Sequence, residues 1–152
     1  MTLEITLQED CETPHNPPLD LLQLWIGTTL THVKDPPQEG EITVKFINEE
    51  ESAVLNQTFR NKPGPTNLLS FPYDNLDGSF TGDLAICAPL VKQQAHDQGK
   101  LVIAHWAHLV IHGTLHLLGY DHIEESDALV MESIESTIMH QLNFEDPYGE
   151  QN

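Results

Sequence analysis

The sequence predicts a single small α+β domain over residues 1–152, a short mixed β-sheet packed with helices, with a metal site on a helix of the C-terminal half. Three observations predict it. Strand-like alternation occurs only before Ala88, interleaved with helical patterns, and everything after Ala88 is helical in pattern. No internal repeat, low-complexity segment or linker divides the chain. Its 152 residues are close to the modal size of one domain. A chain of that size buries about two-thirds of its unfolded surface, so folding by itself requires neither disulfide nor metal.

The elements follow in order. Thr2 to Gln8 alternates with the period of a strand, and Pro17-Pro18 stops it. Leu19 to Val33 reads as an amphipathic helix with Leu22, Trp25, Ile26 and Thr29 on one stripe. After the loop from Asp35 to Gly40, Glu41 to Ile47 is a strand that turns Ile42, Val44 and Phe46 to one face and Thr43 and Lys45 to the other. Asn48, with Glu51 three residues on, resembles a capping box and starts a helix reaching Phe59 or Arg60. Pro63-Gly64-Pro65 is a rigid turn. Leu68 to Tyr73 and Asp83 to Cys87 are short strands joined around Asp77-Gly78, a hairpin-type turn signal. A helix from Ala88 to about Gln98 breaks at Gly99, and an apolar helix then ends near Gly119, placed for a left-handed cap. The last amphipathic helix, about Glu124 to Leu142, carries Leu129, Ile134, Ile138 and Met139, and the acidic tail from about residue 145 is expected to be loose.

Six Lys+Arg against 24 Asp+Glu leave a formal charge of −18. Such a surface excludes sequence-blind binding to nucleic acid or anionic membrane through a broad basic face, and it suits a cytoplasmic protein. A nucleic-acid enzyme with a local contact surface remains compatible with it. Cys11 and Cys87 stand 76 residues apart in no ligand-like spacing and read as two separate thiols. The stretch from Met1 to Asp10 has acids where a secretory signal has bases, and it lacks a long apolar core. Leu101 to Tyr120 is twenty residues without Asp, Glu, Lys or Arg, nominally enough to span a bilayer. Four histidines and two glycines within it argue for a buried or site-forming helix instead.

Those histidines carry the chemistry. His112 and His116 are four residues apart, on neighbouring turns of one helix face. His122 follows six residues later, beyond the expected helix end at Gly119, where the turn Tyr120-Asp121 can return it to the same point. A single histidine is more often a satisfied core or surface residue, but three with this spacing point to a zinc site. Three neutral ligands leave a fourth position open for a water whose pKa falls to about 7. His108 and His105, on the same stripe one and two turns earlier, read as packing or as hydrogen-bond partners behind the ligands. Asp121 either orients a ligand histidine in the same way or caps the following helix. The ligand spacing also matches the zinc-protease signature H-E-x-x-H-x-x-G-x-x-H, except that the general-base glutamate of that signature is Gly113 here. Peptide hydrolysis would lack its proton carrier.

The two longest acid-free windows of this acidic chain are Ser52 to Tyr73 and Gln98 to Tyr120. The second is the histidine helix, and the first holds Arg60 and Lys62, a third of all basic residues. A pair of basic residues is usually solvated surface. Joined to a metal, Arg60 and Lys62 would make a phosphate-handling centre on a negative body.

The run His112-Gly-Thr-Leu-His-Leu-Leu-Gly-Tyr-Asp-His122 resembles the signature of the YbeY family, bacterial endoribonucleases and rRNA maturation factors. Arg60-Asn-Lys-Pro-Gly-Pro-Thr-Asn-Leu-Leu-Ser-Phe-Pro72 is similar to the family segment R-x-K-x-x-P-T-(D/N)-V-L-S-F-P. Gly82-Asp-Leu-Ala-Ile-Cys87 is similar to its G-D-I-x-I-C strand, and Met131 with Glu135 fits the M-x-x-x-E pattern that follows the histidines. The likeness covers roughly Glu41 to Pro147. Residues 1–40 match only in the order of predicted elements. Pro63-Gly64 stands where many members have Asp-Lys, which removes a positive charge, and Asn67 stands where many have Asp.

The resemblance implies a metal-dependent endoribonuclease specific for single strands, acting in maturation of the 3′ end of 16S rRNA and in ribosome quality control. It implies one zinc ion held by His112, His116 and His122, and Arg60 as the arginine needed for activity, while Lys62 is a substrate-binding candidate from the charge pattern. The expected partners are single-stranded RNA, rRNA above all, and the ribosomal small subunit or its assembly proteins, with neither DNA nor membrane among them. The nucleophile is open between metal-held hydroxide and the ribose 2′-OH. Two other readings stand beside this one: a zinc-containing assembly factor without catalysis, and a hydrolase of another bond, chiefly a peptidase, which Gly113 disfavours.

Overall fold

The computed structural model describes residues 2–73, 79–120 and 124–148. Its elements run β1 (Thr2–Glu9), α1 (Leu19–Leu30), β2 (Glu39–Ile47), α2 (Glu49–Arg60), β3 (Leu68–Tyr73), β4 (Phe80–Cys87), α3 (Ala88–Asp97), α4 (Val102–Leu117) and α5 (Glu125–Gln141). The four strands form one mixed sheet in the order β1-β2-β4-β3, with β1-β2 and β2-β4 parallel and β3-β4 antiparallel. Pro72 costs the ladder little because β3 is an edge strand.

The sheet packs on both faces. On one, Ile42, Val44, Phe46, Leu84 and Ile86 meet Leu22, Trp25 and Ile26 of α1, Trp106, Val110 and Ile111 of α4, and Met131 and Ile138 of α5. Phe46 and Trp106 stack at a tilt with ring centroids 4.8 Å apart. On the other face Ile47, Leu69, Ala85 and Cys87 form a smaller cluster capped by Leu55, Phe71 and Leu90. Helix α4 is therefore central, packed against α1, α3, α5 and two strands. At Gly113 it lies so close to the sheet that an added Cβ would stand 2.8 Å from Leu84 Cδ2 and 3.2 Å from Leu68 Cδ1.

Several boundaries differ from the sequence expectation. α1 stops at Leu30, three residues before Val33, because its last turn tightens: the amides of Thr31 and His32 bond back to Thr28 and Thr29, and Thr31 Oγ1 donates to Thr28 O at 2.7 Å. β2 and β4 start earlier than Glu41 and Asp83, since the ladder already pairs Gly40 with Phe80. That pairing is a tertiary contact that local alternation does not display. Leu129, expected on the buried stripe of α5, is 63% exposed. The buried stripe is instead Met131, Glu135, Ile138 and Met139, a helical face that includes a carboxylate. The expected Asp77-Gly78 turn lies outside the described residues. Cys11 and Cys87 are separate free thiols. Among the described residues no helix is long and apolar enough to cross a membrane.

Of the acidic tail, residues 145–148 are among those described. Asp146 Oδ1 accepts from Ser136 Oγ at 2.7 Å and from the Tyr148 amide at 2.9 Å, which ties the segment back onto α5.

Candidate metal centre

Helix α4 continues past His116 to Leu117 before Gly119, at φ +98°, turns the chain away. With His112 and His116 on consecutive turns, their rings stand nearly perpendicular, 4.5 Å between centroids, and their Nε2 atoms are 3.0 Å apart. Two imidazole nitrogens on one tetrahedral zinc lie about 3.3 Å apart, given Zn–N bonds of about 2.0 Å. The pair therefore fits a shared cation. His122 and Asp121 lie outside the described residues.

Behind this pair sits Glu135, fully buried on α5. Its Oε1 is 2.9 Å from His112 Nδ1 and 2.8 Å from His108 Nε2, and its Oε2 accepts from the Tyr148 hydroxyl at 3.0 Å. Burial pushes the carboxyl pKa up, but the hydrogen bonds from His108 and His112 and the potential of both rings overcome it and hold it at about 2. An ionised carboxylate only accepts, so both ring nitrogens facing it must carry hydrogen. That fixes the His112 tautomer with Nδ1–H toward Glu135 and leaves the Nε2 lone pair as the one that could take a cation, as in carboxylate–histidine–metal arrangements. Burial and the Glu135 charge raise the pKa of Tyr148, which stays a neutral donor. Its ring meets that of His108 edge-on with centroids 5.2 Å apart.

Among the described residues, ligand atoms of His108, His112 and Glu135 all lie within 4.8 Å of one another, so this group could itself hold a cation. The 2.9 Å hydrogen bond to Glu135 Oε1 already closes the Nδ1 side of His112, and the same oxygen takes His108 Nε2 at 2.8 Å. His112 and His116 also line a cleft of about 870 Å³, whereas Glu135 does not. The side where a metal and substrate can meet is the Nε2 side.

Across the cleft stands the end of α2. Asn61 takes the left-handed conformation at φ 55° and caps the helix, with its amide bonded to Gln57 O. The turn that follows is pinned from behind by two buried residues of α2. Ser52 Oγ donates to Thr66 O at 2.7 Å and accepts from Thr66 N at 2.9 Å, and Asn56 Nδ2 donates to Gly64 O at 2.9 Å. This holds Arg60 on the cleft wall with His112 and His116. Lys62 is exposed and is not among the cleft residues, where the second cation is Lys100. Asn67 Nδ2 donates at 3.0 Å to Gln94 Oε1, which also lies 3.0 Å from His105 Nε2. An aspartate at position 67 could not donate in this way. Burial, with smaller contributions from Lys100 and His108, lowers the His105 pKa to about 4, which keeps that ring neutral.

The cleft is defined by what it lacks. Among the described residues that line it there is no Asp or Glu, in a chain with 24 of them. Apart from Tyr148, its walls come from the two acid-free windows, Ser52 to Tyr73 and Gln98 to Tyr120, which the fold sets face to face. Sequence reasoning missed Glu135 as a site residue, along with Tyr148 and Lys100. The signal for Glu135 was a carboxylate on the apolar stripe of α5. Tyr148 and Lys100 left no local signal.

A family model described as Endoribonuclease YbeY matches residues 6–143. Proteins named Endoribonuclease YbeY from Colwellia psychrerythraea and Coxiella burnetii are 48% and 47% identical to this chain, covering 97% of it in each case and 97% and 99% of their own lengths. The solution structure of TM1509 from Thermotoga maritima superposes with a TM-score of 0.57 over 98% of this chain and 100% of that one, at 23% identity, a likeness of fold. By sequence over nearly its whole length, this chain belongs to the YbeY endoribonuclease family.

Proposed function

We propose that this protein is a zinc-dependent, single-strand-specific endoribonuclease of the cytoplasm that matures the 3′ end of 16S rRNA and takes part in ribosome quality control. Family membership supports RNA cleavage. The observation that carries the reading to this chain's own residues is the cleft whose described lining holds no Asp or Glu and brings Arg60 and Lys100 to the same space as the convergent nitrogens of His112 and His116. A polyanion entering a body of charge −18 meets attraction there and repulsion elsewhere. The same imbalance makes affinity for free RNA weak, so the small subunit or an assembly protein would supply the docking surface.

His112, His116 and His122 would hold the zinc. Bound there, the ion supplies Lewis-acid polarisation of a phosphate oxygen or of a water. Glu135 keeps the His112 ring in the tautomer and orientation that this requires. Arg60 takes a bidentate grip on the scissile phosphate and neutralises the charge that develops on its oxygens during cleavage. Lys100 holds a neighbouring phosphate as a point charge. Phosphodiester cleavage by such a set is mostly positioning and electrostatics. Gly113 points into the sheet rather than the cleft, so a protease-type carboxylate has no room at that position.

The test is Arg60→Ala. Cleavage of single-stranded RNA should fall about 100- to 1,000-fold, the loss typical of removing one donor to a transition-state oxyanion. Zinc content should stay at the wild-type level. Undiminished cleavage by the variant would remove Arg60 from its assigned role.

A further inference from the structure

Phe59, next to Arg60 at the end of α2, is 62% exposed. A single exposed apolar side chain is ordinary, but its placement is not. Phe59 meets Phe71 of the edge strand β3 edge-to-face, with centroids 5.0 Å apart and planes at 70°. Both rings line the same cleft as Arg60, His112 and His116. Phe71 is anchored against Leu69, Ala85 and Cys87, so it fixes the ring that leans on it. The result is an open aromatic surface, held from one side, beside the arginine assigned to the scissile phosphate.

An apolar ring at the rim of a cleft whose described lining holds Arg60 and Lys100 and no Asp or Glu suits a ligand that is flat and apolar in one part and anionic in the next. A nucleotide has that form. In a duplex both faces of each base are covered by its neighbours, so only an unpaired base can lay a face on Phe59.

We propose that Phe59, backed by Phe71, is a stacking platform for an unpaired nucleobase next to the phosphate at Arg60, and that it contributes the preference for single strands. The proposal rests on the endoribonuclease reading above and adds the subsite that selects the form of the RNA. Stacking of this kind tolerates any base, so the platform selects for strandedness and not for sequence.

The test uses the full-length zinc-loaded protein and a single-stranded oligoribonucleotide of mixed sequence. Wild type, Phe59→Leu and Phe59→Trp are compared after their unfolding midpoints and zinc contents are shown to match. Each is assayed on the intact oligonucleotide and on versions with one base at a time replaced by an abasic residue. Phe59→Leu should raise KM about tenfold, within the range measured for removal of one base–aromatic stack, and Phe59→Trp should restore it. In wild type, one abasic position beside the cut should raise KM about tenfold. In Phe59→Leu the same abasic residue should add almost nothing, because both changes remove one interaction. A wild-type KM in Phe59→Leu, or an equal abasic penalty in both proteins, would overturn the platform while leaving the endoribonuclease reading intact. A wild-type protein that cleaves no single-stranded RNA would overturn that reading and the platform with it.

Discussion

Along the α4 wall of the cleft, the imidazoles of His108 and His112 are held from behind by a buried carboxylate of α5. The α2–β3 wall presents Phe59 and Arg60 to water on a backbone that is pinned from behind. Glu135 is fully buried and takes hydrogen bonds from His108, His112 and Tyr148. On the opposite wall Ser52 and Asn56 bond to the main chain of the turn and leave Phe59 and Arg60 exposed above it. The difference matches the tasks proposed for the two walls. Metal ligands must be fixed to within about half an ångström before the ion arrives. A wall that admits a polymer needs a placed backbone and accessible side chains.

The contrast can be broken from the helical side first. Glu135→Gln keeps the shape but removes the charge that orients His112, and zinc affinity should fall about 10- to 100-fold, the usual cost of losing such a partner. Competition with a chromogenic chelator measures it. Unchanged affinity would mean that the ligands are held by packing alone, and the two walls would no longer differ in kind.

Gly113→Ala sharpens the comparison with a smaller effect. Alanine gains about 1 kcal/mol over glycine in helix propensity. Against this, the added methyl is driven into Leu84 and Leu68, both buried, at 2.8 and 3.2 Å. Overpacking of that kind costs about 2 kcal/mol. The net expectation is a loss of about 1 kcal/mol in urea unfolding. A gain in stability would show space behind α4 and would reopen the position to a larger side chain.

Local pattern carried most of the fold. The stripe Leu22, Trp25, Ile26, Thr29 and the strand face Ile42, Val44, Phe46 are all buried as their periodicity predicts. Asn48 caps α2 by accepting from the Glu51 amide at 2.8 Å. What the sequence left out depends on the ladder or on distant contacts. The early starts of β2 and β4 come from their pairing with each other. The involvement of Tyr148 comes from a segment that returns 40 residues later to His108. At the site, the offset of four between His112 and His116 was legible because helix geometry turns that spacing directly into proximity. Glu135 bonds His112 from 23 residues away on another helix, and no spacing rule reaches it. The acid-free windows stood in the sequence as separate stretches, and only the fold makes them one cleft.

If His112 and His116 converge on a catalytic zinc, metal binding and RNA cleavage must depend on the same side chains. The most direct measurement is elemental analysis of the purified protein and of His116→Ala, with cleavage of single-stranded RNA assayed on the same samples. About one zinc per wild-type chain is expected, with metal and cleavage lost together in the variant. A wild-type protein that cleaves RNA without bound metal, or a variant that keeps both metal and activity, would contradict it.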